Sequence, residues 1–142
     1  MSQRREKKEF VLILASKPEE VTKVEKFMQE VCSAIHMNDE KLYKLLVATT
    51  EAVNNSILHG NQRDPKKKVS MKCETDDGTL IIHIQDEGPG FDVDNLPDPL
   101  AEENLLREHG RGVFLIRSLM DSVDFLKHPE GAEVVMKIKI DA

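Results

Sequence analysis

The sequence predicts an α+β domain. It reads as a two-layer α/β sandwich, a mixed sheet of about five strands with three helices on one face. Three observations lead there. Apolar residues recur at helical spacing in separate stretches, and short apolar or alternating runs of strand length flank them. The elements run strand, helix, helix, strand, strand, irregular stretch, helix, strand, strand. At 142 residues the chain suits a single domain over 1–142, with a core that needs neither disulfides nor metal.

The first strand is the apolar run from Glu9 to Ala15. Ser16-Lys-Pro-Glu19 then reads as a capping box, with Ser16 at the N-cap and Pro18 early in the first turn. In the following helix Val21, Val24, Phe27, Met28, Val31 and Ile35 form one apolar stripe. Asn38 or Asp39 can cap a second helix that runs to about His59, with Gly60-Asn61 as its stop. Leu42, Leu46, Thr49, Val53 and Ile57 share its core face, and Glu51 and Asn55 point to the opposite side.

Val69, Met71 and Cys73 alternate along the next strand, and Leu80 to Ile84 follow after the turn at Thr75-Asp-Asp-Gly78. The polar, proline-rich stretch after Asp86 has the marks of a lid, about 92–110. A third helix is expected from Gly112 to about Met120. Val123 to Leu126 and Ala132 to Ile140 make a closing hairpin around His128-Pro-Glu-Gly131.

Charged residues of both signs are interspersed and the net charge is -6, which is not the basic footprint of a nucleic-acid binder. There is no Trp and one Tyr, so stacking of bases on aromatic platforms is not expected. The charged start leads into only a short apolar stretch, and nothing approaches the about 18 apolar residues of a membrane span. A cytoplasmic protein follows, and Cys32 and Cys73, which lack CxxC spacing, read as reduced core thiols.

Three segments carry chemistry. Glu51 and Asn55 lie one helical turn apart, so a carboxylate and a hard amide oxygen converge. The amide oxygen suits Mg2+, and the carboxylate can take a proton from a hydroxyl nucleophile. Asp86 ends an apolar strand, where it can accept a hydrogen bond from the exocyclic amine of adenine. Gly88 and Gly90 let the backbone approach a flat base. Gly110 and Gly112 precede the third helix, whose free N–H groups and positive dipole end suit phosphate. Together these are the parts of an ATP site. No dinucleotide fingerprint or Walker loop is present.

In order and spacing, Glu51-xxx-Asn55, Asp86-x-Gly88-x-Gly90 and Gly110-x-Gly112-xx-Leu115 resemble the N, G1 and G2 boxes of the Bergerat-fold ATPases. This superfamily includes gyrase, Hsp90, histidine kinases and MutL. Within it, Glu51 to Gly60, Pro97-Asp-Pro99, Glu103 to Leu106 and Arg111 to Asp121 resemble the bacterial anti-sigma-factor serine kinases. The resemblance implies ATP and Mg2+ as cofactors, Asn55 as the Mg2+ ligand and Glu51 as general base. It assigns Asp86 to adenine, Gly88 and Gly90 to the base pocket, and Gly110 and Gly112 to phosphate. Arg107 and Arg111 are the candidates for contact with the terminal phosphate. It further implies phosphorylation of a serine on an anti-anti-sigma (STAS-type) protein, a sigma factor held inactive, and a homodimer. Two other readings are an ATP-binding partner-switch module without kinase activity and a detached histidine-kinase catalytic domain.

Overall fold

The computed structural model describes residues 7–88 and 108–140. Gly90, Arg107, Pro97-Asp-Pro99, Glu103 to Leu106 and most of the expected lid lie outside the described residues. Among the described residues, five strands and three α-helices appear in the expected order: β1 Glu9–Ala15, α1 Thr22–Ala34, α2 Asp39–Asn55, β2 Lys68–Asp76, β3 Thr79–Gln85, α3 Glu108–Leu119, β4 Ser122–His128 and β5 Gly131–Lys139. The sheet order is β1-β2-β3-β5-β4. Every adjacent pair is antiparallel, which corrects the expectation of a mixed sheet. The physical reason is the closing hairpin. The long connection from β3 to β4 joins strands that run the same way, and β5 folds back between them, so no parallel pair forms.

Alternation decides which side each strand residue takes. Leu14, Val69, Met71, Cys73, Leu80, Ile82, Ile84, Val134, Met136 and Ile138 point inward and are buried. They meet Val24, Met28 and Val31 of α1, Leu45, Ala48 and Val53 of α2, and Ile116 of α3 in one cluster. Burial of each large aliphatic side chain stabilises the fold by about 1.5–3 kcal/mol. Cys32 and Cys73 are free thiols within this core. Burial pushes them up to about 11 and about 12, so both stay protonated.

Among the described residues, no helix packs on the opposite sheet face, where Val11 and Ile13 are exposed. There His83 Nδ1 lies 3.0 Å from Glu133, and its Nε2 lies 3.1 Å from Glu74. The hydrogen bond from His83 holds the Glu74 carboxyl below its ordinary range.

The turns follow local chemistry. Asp77 and Gly78, both with positive φ (48° and 83°), make the two-residue link between β2 and β3. Helix α1 ends with His36 at φ 58°, where Met37 N–H reaches Cys32 C=O and His36 N–H reaches Ser33 C=O. Asn38 caps α2, its side-chain oxygen accepting from Lys41 N–H at 2.8 Å.

The capping box at Ser16 does not form. Ser16 N–H instead extends the β1–β2 ladder to Lys67 C=O at 3.0 Å, and its buried hydroxyl has no hydrogen-bond partner among the described residues. Lys17 opens the short 3-10 turn Pro18–Val21 without a side-chain cap, though Pro18 stands at its start as expected. No helix among the described residues is long and apolar enough to cross a membrane.

Candidate functional site

Helix α2 sets the first part of the site. Its core side is buried at Leu45, Ala48, Thr49, Ala52 and Val53. Glu51 and Asn55 are left half-buried on the other side, one turn apart. Helix α3 crosses them at Gly112. A Cβ added there would lie 2.9 Å from Glu51 Oε2, 3.2 Å from Asn55 Nδ2 and 3.4 Å from Asn55 Oδ1. Glycine at 112 is therefore what lets α3 pass so near the carboxylate-amide pair.

Helix α3 begins at Glu108, four residues ahead of the expected start at Gly112. Gly110, Arg111 and Gly112 thus lie within its first turns rather than ahead of it. The glycines read as an entry because glycine disfavours helix interiors by about 1 kcal/mol. Packing of α3 against α2 outweighs that local preference. The free N–H groups of the helix start belong to its first four residues, 108–111, which include Gly110 and Arg111.

Beyond Asn55, α2 continues as one π turn, Ser56–Gly60, instead of ordinary α-helix. Such turns are rare and concentrate at functional sites. This one buries Ser56, Ile57 and Gly60 and leaves His59 exposed. It brings Ser56 and Gly60 against Asp86, the acid at the end of β3. The Ser56 hydroxyl donates to the Asp86 carboxylate. Gly88 N–H donates to Asp86 Oδ1 at 2.8 Å, and Asp86 N–H donates to Ala132 C=O at 2.9 Å.

Asp86 is 8% exposed. Burial raises its carboxyl above the ordinary aspartate range, opposed by the Gly88 and Ala132 N–H groups, Ser56 and the charge of Lys67. A Cβ on Gly60 would lie 2.5 Å from Asp86 Cγ, and one on Gly88 would run into the Gly60 carbonyl. Gly131 stands equally close to the Asp86 main chain. Three close-packed glycines thus enclose this acid.

Folding brings Glu51, Asn55 and Gly112 together at one end, and Asp86 and Gly88 together at the other. Helix α2 and its π turn join the two. Gly90 lies outside the described residues. From local pattern alone Gly60-Asn61 is only a helix stop and Ser56 has no role. Yet Asn61 is fully buried and bonds both Lys68 C=O and Glu87 N–H. The available signal was a run of small and amide residues, Asn54-Asn-Ser56 and Gly60-Asn61, along one helix end.

Similarity to known proteins agrees with this geometry. Residues 14–138 match the histidine kinase-like ATPase domain family. The anti-sigma F factor of Oceanobacillus iheyensis is 37% identical over 100 residues, covering 68% of this chain and 68% of that protein. The serine-protein kinase RsbW of Listeria innocua is 28% identical over 131 residues, covering 88% of this chain and 83% of its own length. Among solved structures, one holding RsbU and RsbW domains from Mycobacterium tuberculosis superposes with a TM-score of 0.70 at 14% identity. That superposition covers 94% of this chain but 32% of the other, and at such identity it speaks for the fold alone. The fold, the assembled segments and these matches converge: the chain belongs to the histidine kinase-like ATPase domain family, on the branch that holds the anti-sigma-factor kinases.

Proposed function

We propose that this protein is an ATP-dependent serine kinase that acts as an anti-sigma regulatory factor. It phosphorylates an anti-anti-sigma protein of the STAS type and holds a sigma factor inactive. The observation that carries the reading is the convergence of Glu51, Asn55 and Gly112 in the last turns of α2, with a buried Asp86 against the π turn that follows. The relatives named anti-sigma F factor and serine-protein kinase RsbW support the same activity. We place its work in the cytoplasm, as a homodimer.

The residues present fit ATP with Mg2+. Asp86 is a buried acceptor lodged among glycines, which suits the amino edge of adenine, and Gly88 beside it suits close approach of the base. Asn55 offers a hard oxygen for Mg2+, an ion that takes few protein ligands and completes its shell with water and phosphate. ATP supplies the terminal phosphoryl group. Gly110, Arg111 and Gly112, at the start of α3, would receive phosphate oxygens. Glu51 then takes the proton from the partner's serine hydroxyl as that oxygen becomes the nucleophile. Catalysis of this kind rests on positioning and charge neutralisation more than on covalent chemistry.

The test is incubation of the full chain with labelled ATP, Mg2+ and a candidate anti-anti-sigma partner. Label on a partner serine is the expected result. ATP binding without any transfer would instead mark a partner-switch module that has no kinase activity.

A further inference from the structure

Asn61 follows the π turn and is wholly buried. Both ends of its side-chain amide are engaged. Nδ2 donates to Lys68 C=O at 3.0 Å, and Oδ1 accepts from Glu87 N–H at 2.8 Å. Its own N–H donates to Ser56 C=O at 2.7 Å. Asn61 therefore holds two residues beside Asp86: Glu87, the next in the chain, and Ser56, whose hydroxyl donates to the Asp86 carboxylate.

The same clamp closes from the other side. Lys68 N–H donates to the Glu87 carboxylate at 2.6 Å, so the first residue of β2 is tied to the turn after β3 directly through its N–H and by way of Asn61 through its C=O. Gln62 and Arg63 follow with φ of 54° and 60°. Non-glycine residues rarely adopt such angles, and they persist where surrounding contacts over-determine them. One planar amide with a donor and an acceptor meets both demands at once, which no apolar or purely acidic side chain does.

We propose that Asn61 is a positioning residue for nucleobase recognition: it clamps the Asp86–Gly88 turn to β2 and so sets where the Asp86 carboxylate sits. This rests on the reading of Asp86 as the adenine acceptor. The role differs from plain loop stabilisation because Asn61 acts through Asp86.

The experiment is a calorimetric titration of MgATP and MgGTP into the full chain and its Asn61→Ala, Asp86→Asn and doubly substituted forms. Asn61→Ala is expected to weaken ATP about tenfold, equivalent to about 1.4 kcal/mol, and GTP by less than about threefold. In the Asp86→Asn background the same change should add less than about threefold, since coupled residues do not act additively. Additive losses would overturn the proposal, as would an unchanged preference for ATP over GTP. If Asp86→Asn leaves ATP affinity intact, the base-pocket reading fails and this inference with it. If Asp86→Asn weakens ATP while Asn61→Ala does not, only the role of Asn61 fails. Should the alanine form not fold, Asn61→Ser is too short to span both partners and carries the same expectation. A wild-type preference for ATP in that form would equally overturn the proposal.

Discussion

The two ends of the candidate site are built differently. The Asp86 end is a closed construction, in which a buried carboxylate is surrounded by Ser56, Gly60 and Gly88 and held by hydrogen bonds within the protein, with Asn61 fastening the adjoining turn. The Glu51 end is half-buried, with α3 passing over it at a single glycine. One end is preorganised from within, which suits discrimination between bases. The other leaves a carboxylate and an amide oxygen accessible, which suits chemistry completed by what binds there. Substitutions at the closed end should therefore change affinity and stability, and those at the open end should change rate.

Glu51→Ala tests that division most severely. Phosphoryl transfer should fall by about 10²–10⁴, the range for loss of a general base, while ATP affinity stays within about threefold. Single-turnover transfer and calorimetry measure the two, and near-normal transfer would remove Glu51 from its role.

Asp86→Asn should weaken ATP by roughly 10–100-fold through loss of a charged hydrogen bond. The same variant sharpens the comparison through its stability. Because burial raises the folded-state pKa of Asp86, ionising it weighs against folding once pH climbs past the unfolded value. The nucleotide-free variant should therefore melt higher than wild type at neutral pH, and the gain should vanish in acid. A lower melting temperature at neutral pH would show that the carboxylate is well served by its donors.

Gly112→Ala puts a methyl group 2.9 Å from Glu51 Oε2. The carboxylate must move, and transfer should drop by about tenfold, consistent with about 1–3 kcal/mol for an overpacked contact. Wild-type kinetics in this variant would mean that the Glu51 side chain yields without consequence.

The smallest effect is expected far from both ends, at Glu74→Gln on the open sheet face. His83 depresses the Glu74 pKa, so this pair stabilises the fold above the unfolded pKa and ceases to do so as pH falls through the folded one. Denaturant titration should show a loss of about 0.2–1 kcal/mol at neutral pH and almost none in strong acid.

Local pattern and chemistry made much of this legible. Alternation marked the inward face of β2, and the Asn38 cap and the Asp77-Gly78 turn follow from side-chain and backbone preferences that act within a few residues. Glu51 and Asn55 were readable because one helical turn always sets them side by side. Asp86 stood out as an acid ending an apolar run.

What escaped local reading depends on partners distant in the chain. Ser16 gave up its cap for a ladder bond to Lys67, and the antiparallel character of the whole sheet came from β5 folding back beside β3. The early start of α3 reflects its packing on α2, and the π turn after Asn55 brings Ser56 and Gly60 to Asp86. Residue identities along the chain prescribe periodicity, caps and turns, because those interactions span only a few bonds. The enclosure of Asp86 and the nearness of Gly112 to Glu51 arise from contacts across dozens of residues, which form only when the packed core holds the helices against the sheet.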